Sequence, residues 1–254
     1  MAHMLPDSVT PLAALAVIVA SFFTSALTAS FGLGGGLALL ALMSGVLPAS
    51  AVIPVHGVAQ LGSNFFRFLL QRRDVVWPII LWFAVGSLFG AYVGGRLYVG
   101  LPEWLLKAAV GLFVLFMVWG PKPRGFAPGP KSFAATGAMG AFLSMFFGAT
   151  GPITAAMLSV ARLNKLETVA THAAAMVFQH GLKIFVFGFL GFAFAEWAAL
   201  IAATVAAGFL GSWAGTRLLK KMPEKSFRRG FNLVLTALGV YLVIAGTAEA
   251  LATR

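Results

Sequence analysis

Two apolar stretches of the sequence carry the polar side chains best placed to bind a ligand. They are His56, Gln60, Ser63, Asn64 and Arg67 in the first stretch and His172, Gln179, His180 and Lys183 in the second. At about 100° per residue, each set covers about a third of the circumference of a helix. Because ionisable groups are costly in lipid and usually face an interior cavity, these two polar stripes predict a binding site. The alternative is that Arg67 and Lys183 extend to the membrane surfaces and that the other side chains only join helices.

The charge balance around the polar stripes favours an anionic ligand. No Asp or Glu lies well inside an apolar stretch. The carboxylates fall at the ends of stretches or between them, for example at Glu103, Glu167, Glu196, Glu224 and Glu249. The cations of the stripes therefore lack partners within the membrane, and an anionic substrate would supply the missing charge. A cation transporter would normally carry carboxylates inside its spanning segments.

A glycine-rich break precedes each polar stripe, at Phe31-Gly-Leu-Gly-Gly-Gly and at Phe147-Gly-Ala-Thr-Gly-Pro. Glycine permits a tight reversal, and the short helix after each break would offer free backbone N–H groups and the positive end of its dipole to an anion. The breaks and stripes together give the predicted substrate-binding residues: Gly34, Gly35, Gly36, His56, Gln60, Asn64, Arg67, Thr150, Gly151, His172, Gln179, His180 and Lys183. We expect no catalytic residue and no metal ligand.

The elements that must position these residues are membrane-spanning helices. The chain has 254 residues, of which 60% are hydrophobic and 10% are charged, whereas soluble domains carry about 25% charged residues. Its mean hydropathy is +0.93. Several apolar runs approach the roughly 20 residues needed to cross hydrocarbon, and they lack the alternation of outer-membrane strands. The net charge of +11 comes mainly from short basic clusters between these runs, as in cytoplasmic loops, so we expect no nucleic-acid partner.

The two halves of the chain are copies of one unit. One constant shift of register aligns residues 31–35 with residues 147–151, and it also places His56 on His172 and Arg67 on Lys183. Such internal similarity indicates a duplication. Each copy predicts five helical segments, at 9–30, 36–47, 51–71, 75–99 and 103–119 in copy one and at 131–146, 152–161, 166–187, 196–219 and 226–246 in copy two.

The basic clusters decide how the two copies are oriented. If each glycine-rich break reverses the chain, the clusters at 72–73, 122–131, 162–165 and 217–229 all face one side, as the positive-inside rule requires. If the first two segments instead form one straight crossing, two of these clusters face opposite sides. The sequence therefore favours an all-α polytopic membrane protein with two inverted repeats of about five helical segments, each with a glycine-rich broken-helix hairpin.

The inverted arrangement has consequences for organisation and location. The first transmembrane repeat would occupy residues 1–120 and the second residues 131–254, joined by a basic cytoplasmic linker at 121–130. Both termini would be periplasmic in a protein of the bacterial inner membrane. Whether the protein forms a homodimer stays open.

Small residues recur at every fourth position of the fourth segment in each copy. They are Gly86, Gly90 and Gly94 in copy one and Ala207, Gly211 and Gly215 in copy two. This spacing lets helix backbones approach closely, so we expect the face to pack the two copies together. A glycine hinge is the alternative.

Enzymatic functions have little support. The chain contains no Cys, which excludes disulfides, thiolate metal sites and Cys nucleophiles. There is also no His-Glu-x-x-His helix, no paired intramembrane Asp and no Gly-x-Ser-x-Gly element. We therefore expect neither an enzyme nor a cofactor.

Through its two glycine-rich breaks the chain resembles the TauE/SafE family of sulfite and organosulfonate exporters, also called the toluene-sulfonate uptake permease family. The resemblance extends to the duplication, to the small-residue fourth segments and to the sequences Gly-Gly-Arg and Gly-Thr-Arg that end at Arg96 and Arg217. It implies export or exchange of sulfite, a sulfonate or a related sulfur anion.

The residues and the resemblance together predict a secondary transporter, in the export direction, for a small sulfur-containing anion such as sulfite or an organosulfonate. Its partners would be that anion and the lipid bilayer. Proton coupling would use His56, His172 or His180, because His is the side chain that titrates near neutral pH when unperturbed. An anion channel with a continuous wetted path is the first alternative, and a membrane enzyme or scaffold is the second.

Overall fold

The computed structural model describes residues 6, 8–96, 103–120 and 127–252, and this part of the chain is all-α. Its ten α-helices are α1 (Pro11–Phe31), α2 (Gly35–Val46), α3 (Ala49–Gln71), α4 (Trp77–Arg96), α5 (Glu103–Trp119), α6 (Pro130–Phe147), α7 (Gly151–Val160), α8 (Lys165–Phe189), α9 (Ala198–Lys221) and α10 (Glu224–Ala252). Every predicted segment is a helix, and α10 continues six residues beyond its predicted end. The predicted end of α4 at Val99 and residues 121–126 of the linker lie outside the described residues.

The lengths of the helices fit a polytopic membrane protein. Among the described residues, four helical segments are long and apolar enough to cross a membrane, and they are α1, α4, α10 and the segment Phe194–Lys221 that contains α9. Helices α3 and α8 have 23 and 25 residues and so reach a spanning length, although they carry the polar stripes. Helices α2 and α7, with 12 and 10 residues, are too short to cross alone.

The first glycine-rich break reverses the chain, as predicted. The backbone turns through Gly32 and Gly34, whose φ angles of 85° and 101° lie in the left-handed region that glycine adopts without strain. Helix α2 then packs back along α1, and the N–H of Gly35 donates to Oγ1 of Thr28 at 3.0 Å. Helices α1 and α2 therefore form a hairpin.

The second break makes a corresponding hairpin from α6 and α7. Gly148 ends α6 at a φ of 79°. Beyond the turn, Oγ1 of Thr150 donates to the carbonyl of Gly140 on α6 at 3.0 Å. The glycine-rich breaks are thus hairpin turns and do not continue one straight crossing.

The predicted small-residue faces pack the two copies together. A Cβ on Gly86 of α4 would lie 1.8 Å from the carbonyl oxygen of Ala134 on α6, and one on Gly211 of α9 would lie 2.0 Å from the carbonyl oxygen of Phe22 on α1. Only glycine allows backbones to approach this closely. Each pair joins a helix of copy one to a helix of copy two, so the predicted packing role is confirmed.

Successive contacts along these helix pairs give their directions. Gly86 and Gly90 meet Ala134 and Ala138 in the same order, so α4 runs parallel to α6. By the same criterion α9 runs parallel to α1, since Gly211 and Gly215 meet Phe22 and Ala26 in order.

Helices α3 and α8, which carry the polar stripes, run antiparallel to each other. Gly57 near the start of α3 lies against Lys183 in the second half of α8. Phe68 near the end of α3 packs on the cluster that contains Ala170 and Ala174 in the first half of α8. The two stripes therefore approach each other from opposite directions.

The basic loops gather at one end of the helical bundle. Lys165 donates from Nζ to the carbonyl of Met222, and Arg228 donates to the carbonyl of Leu163, which joins the start of α8 and the loop before it to the start of α10 and the loop before it. The N–H of Val76, just after the Arg72–Asp74 turn, donates to Thr171 of α8 at 3.0 Å. At the start of α6, Phe133 packs with Ile79, Leu158 and Ala161.

Candidate functional site

The tips of the two hairpins meet α3 and α8 around one small cavity. A Cβ on Gly148 would touch Ile53 of α3, and one on Gly32 would touch Val169 of α8, so each tip reaches the third helix of the other copy. The cavity has a volume of about 30 Å³. Its lining residues are Thr28, Leu33, Gly34, Gly36, Leu37, His56, Gln60, Asn64, Ala149, Gly151, Pro152, His172, Met176 and His180.

Two of the cavity histidines tie the short helices to the stripes. His56 donates from Nε2 to the carbonyl of Gly36 at 2.8 Å, and His172 donates from Nε2 to the carbonyl of Gly151 at 3.2 Å. Because a carbonyl oxygen can only accept, each Nε2 must carry a proton. The Nδ1 atoms of both rings have no partner among the described residues. Each histidine therefore holds the start of α2 or α7 and keeps one ring nitrogen unused.

The third cavity histidine, His180, has a different environment. Its ring centroid lies 6.1 Å from that of His56, at an interplanar angle of 79°. Its Nδ1 has no hydrogen-bond partner among the described residues. The ring of His180 is thus in contact with the stripe of copy one but does not tie a hairpin.

Arg67 lies behind the cavity wall in copy one. Its side chain is 1% exposed, and its Nη2 donates to Oδ1 of Asn64, which lines the cavity. Asn64 in turn donates from Nδ2 to the carbonyl of Gln60 at 2.7 Å. The Nε of Arg67 has no partner among the described residues. The guanidinium therefore bonds to a residue that lines the cavity and keeps one N–H group without a described partner.

Lys183 occupies the equivalent place in copy two, with 0% exposure. Its ammonium donates to the carbonyl of Gly148, the residue that caps the C-terminus of α6. A cation at this position is favoured by the helix dipole. Since both Arg67 and Lys183 are buried, the alternative in which they extend to the membrane surfaces is wrong.

The glycines of the breaks have unequal surroundings. A Cβ on Gly35 would lie 1.8 Å from the carbonyl oxygen of Thr24, so this glycine is required for α2 to approach α1. A Cβ on Gly36 would face Oε1 of Gln60 at 3.1 Å, and one on Gly151 would face His172 at 3.7 Å. Gly36 and Gly151 therefore border the cavity, whereas Gly35 contacts its own hairpin.

The structure brings most of the predicted site residues together. Those that line the cavity are Gly34, Gly36, His56, Gln60, Asn64, Gly151, His172 and His180. Those that lie outside its lining are Gly35, Arg67, Thr150, Gln179 and Lys183. Of this second group, Thr150 and Gln179 are buried and contact each other, with Oγ1 of Thr150 lying 3.2 Å from Oε1 of Gln179. The substrate-binding role of all these residues stays a prediction.

Several lining residues were not predicted, and they are Thr28, Leu33, Leu37, Ala149, Pro152 and Met176. Met176 aligns with Gln60 in the duplication, which is the one signal in the sequence that could have indicated it. Within the described residues, no three His, Cys, Asp or Glu side chains come together as a metal site would require.

Comparison with known proteins shows the family of the chain. Residues 17–242 match the sulfite exporter TauE/SafE family. The chain belongs to this family. It is also similar to the probable inner membrane transporter protein TsaS of Comamonas testosteroni, with 29% identity over 221 residues, which are 83% of this chain and 88% of that protein. No solved structure matches the chain significantly.

The TauE/SafE match covers most of both copies, both hairpin turns and every residue that lines the cavity. Both the family and the TsaS protein are transporters by description. The protein is therefore a membrane transporter of the TauE/SafE family, and the family resemblance seen in the sequence is confirmed.

Proposed function

We propose that this TauE/SafE protein is a secondary transporter that exports a small sulfur-containing anion, such as sulfite or an organosulfonate, through the cavity between the hairpin tips. The observation that carries the proposal is the burial of Arg67 and Lys183 beside this cavity. Every carboxylate whose surroundings are described lies in a loop or a terminal turn, at Asp74, Glu167, Glu196, Glu224 and Glu249. An anion in the cavity would offset the cost of two buried cations that lack a carboxylate partner.

The donors around the cavity suit an oxyanion. Asn64 and Gln60 present side-chain amides, and His56 and His172 each keep a free Nδ1 that would donate when protonated. Hydrogen bonds from charged donors to oxyanions are about twice as strong as neutral ones. The family description of sulfite export and this donor set support a sulfur oxyanion as substrate.

Alternating access is supported by the size of the cavity. Its volume of about 30 Å³ is far below the roughly 300–1,000 Å³ of usual small-molecule sites. We therefore expect the walls to move apart when sulfite binds. An anion channel would instead need a continuous wetted path. The hairpin tips, which reach from one copy to the third helix of the other, are the elements that would move.

We also propose that residues 1–120 and 131–254 are inverted repeats with their basic loops in the cytoplasm and both termini in the periplasm of an inner membrane. Support comes from helix direction, because α3 of copy one and α8 of copy two are equivalent in sequence and run antiparallel. The gathering of basic loops at one end supports this orientation through the positive-inside rule. The relative TsaS, described as an inner membrane transporter, supports the location.

Transport of sulfite into liposomes tests the main proposal. Purified protein reconstituted into liposomes should give saturable sulfite flux driven by an imposed gradient. Flux that rises linearly with sulfite concentration would favour a channel, and chemical conversion of sulfite without flux would favour an enzyme. Protein-free liposomes are the control. Because a ligand that binds only the folded state raises its stability, sulfite should also raise the unfolding temperature more than a carboxylate such as acetate.

Single-cysteine labelling tests the orientation, and the chain offers a background without any Cys. Cysteines placed at Ser50 and Gly191 should react with an impermeant maleimide from the periplasmic side. Cysteines placed at Arg73, Pro128 and Lys225 should react only after the membrane is opened. Opposite accessibility at Pro128 and Lys225 would contradict the inverted arrangement.

Proton coupling is the third part of the proposal, through the histidines that line the cavity. Protonation of His56, His172 or His180 would add positive charge beside the anion and so link the two ligands. A sulfite flux that responds to an imposed pH gradient would support this coupling, and a flux independent of that gradient would contradict it.

A further inference from the structure

The hydrogen bonds of the cavity distinguish one histidine from the other two. His56 and His172 donate from Nε2 to the carbonyls of Gly36 and Gly151, so these rings hold the short helices α2 and α7 in either charge state. His180 lines the same cavity but makes no described hydrogen bond to a hairpin. Among the cavity histidines, His180 is therefore the one whose ring holds no hairpin in the described part of the chain, so its substitution removes a titratable group without removing a tie.

The position of His180 also separates it from its counterpart in copy one. The duplication places His180 on Asn64, a side chain that cannot take up a proton. Asn64 is used as the acceptor for Arg67, whereas His180 lies one helical turn before Lys183 without bonding to it. Copy two thus carries a titratable group where copy one carries a fixed amide.

The charged and titratable groups that interact with His180 come from two helices. They are Arg67 and His56 of α3 and His172 and Lys183 of α8. The hairpin helices α2 and α7 contain no ionisable residue. In α4, α6, α9 and α10, the Lys, Arg and Glu residues lie within the first two or last two turns, and Tyr92 and Tyr241 are exposed. No described carboxylate adjoins His180.

We propose that His180 is the proton-carrying residue and that its proton moves in the same direction as the anion. The inference rests on the proposed transport of an anion through this cavity. A proton on His180 adds a third positive charge beside Arg67 and Lys183, and an anion in the cavity offsets that repulsion. The anion and the proton therefore favour each other's binding, and by reciprocity each raises the affinity for the other. Antiport would require the opposite, that the anion displaces the proton.

Binding of the anion and the proton together determines the net charge that crosses the membrane in each transport cycle. The proton that His180 takes up on one side is released with the anion on the other side, and no bond within the anion is made or broken. One proton with sulfite in its doubly charged form leaves one net negative charge. A membrane potential that is negative inside would expel this net charge, which agrees with export.

The test measures protons moved per sulfite in liposomes that contain the purified protein and a trapped pH-sensitive dye. The change is His180→Asn, which installs the amide that copy one carries at the equivalent position. Sulfite can carry protons of its own, but these are the same for every variant. Wild-type protein should therefore move about one more proton per sulfite than H180N, in the direction of sulfite.

The matched controls are His56→Asn and His172→Asn. These variants should slow sulfite flux because a hairpin tie is weakened, but they should leave the ratio of protons to sulfite at the wild-type value. Thermal unfolding of each protein checks folding, and His180→Gln replaces H180N if the latter does not fold.

Two results would overturn the inference while leaving sulfite transport intact. One is an equal ratio in wild-type and H180N proteins, and the other is proton movement against the sulfite flux. A ratio that drops in H56N or H172N would assign the proton to that residue instead. Absence of saturable sulfite flux in the wild-type protein would overturn the proposed transport function, and the inference with it.

Discussion

The stripes of copy one and copy two place a buried cation at equivalent positions but give it different partners. In copy one, Arg67 donates to Asn64 on its own helix. In copy two, Lys183 donates across to Gly148 at the tip of the α6–α7 hairpin. The cation of copy two therefore helps to hold a hairpin, whereas the cation of copy one is bound only within α3 and keeps Nε without a described partner. The duplication preserved the positions of the charges while their structural roles separated.

The two hairpins also differ in the contacts that hold them together. In copy one, close approach of α2 to α1 depends on Gly35, which lies against the carbonyl of Thr24. In copy two, the equivalent Gly151 has ordinary space around it, and the hydroxyl of Thr150 joins the hairpin to Gly140 instead. Both hairpins have a side-chain hydrogen bond, from Gly35 to Thr28 and from Thr150 to Gly140, but the first hairpin also requires a glycine where α2 begins.

The largest expected effect comes from a matched pair of glycine substitutions. Gly35→Ala would place a Cβ 1.8 Å from a backbone oxygen that cannot move independently of α1. We expect it to destabilise the protein by roughly 3 kcal/mol or more and to abolish sulfite flux. Gly151→Ala would place its Cβ in ordinary contact at 3.7 Å, and its stability should stay within about 0.5 kcal/mol of wild type. Thermal unfolding in detergent measures both, and equal stabilities would contradict the difference between hairpins.

Substitution of the two cations should change two different properties, sulfite binding for Arg67 and stability for Lys183. Arg67→Gln should weaken sulfite binding by about 1.5–3 kcal/mol, the range for hydrogen bonds to charged groups. Lys183→Gln should lower the free energy of unfolding by a similar amount, because the carbonyl of Gly148 loses a charged donor at the end of α6. Sulfite titrations and thermal unfolding are needed for each variant, with Arg67→Lys as the control that keeps the charge. Identical profiles for R67Q and K183Q would show that the two cations have one role.

The histidine ties should behave alike in the two copies. His56→Ala and His172→Ala each remove one hydrogen bond to a hairpin carbonyl, which contributes about 0.5–1.5 kcal/mol. Both variants should therefore be slightly less stable and slower in sulfite flux, by similar factors. Flux measured at equal protein content in liposomes checks this, and a loss confined to one variant would show that only one hairpin moves during transport.

The smallest effect is expected at a seam of serine side chains around Ser63 of α3. Ser63 donates to Oγ of Ser25 at 2.8 Å and lies 3.2 Å from Oγ of Ser212, which joins α3 to α1 and α9. Hydrogen bonds of this kind between membrane helices contribute about 0.6 kcal/mol. Ser63→Ala should lower stability by about that amount and leave sulfite flux unchanged. A large loss of flux would mean that this seam takes part in transport.

The sequence by itself determined the helices, the reversals and the faces of the site. Apolar runs of spanning length, separated by basic clusters, predict membrane helices because the bilayer requires backbone groups to bond within each segment. The glycines at residues 32–36 predict a turn because they allow left-handed backbone angles. The common face of His56, Gln60 and Asn64 follows from helical periodicity, and all three line the cavity.

Only the tertiary structure determined which residues contact each other and which polar groups form hydrogen bonds. Lys183 bonds to Gly148, 35 residues earlier in the chain, and Gly35 is required by a carbonyl of the preceding helix. These contacts depend on the distances between helix backbones, and helical periodicity in the sequence gives no information about those distances. Equivalent residues of the two copies therefore have different partners. A repeated sequence therefore predicts equivalent positions, but hydrogen-bond partners are selected by packing, where a shift of about an ångström makes or breaks the bond.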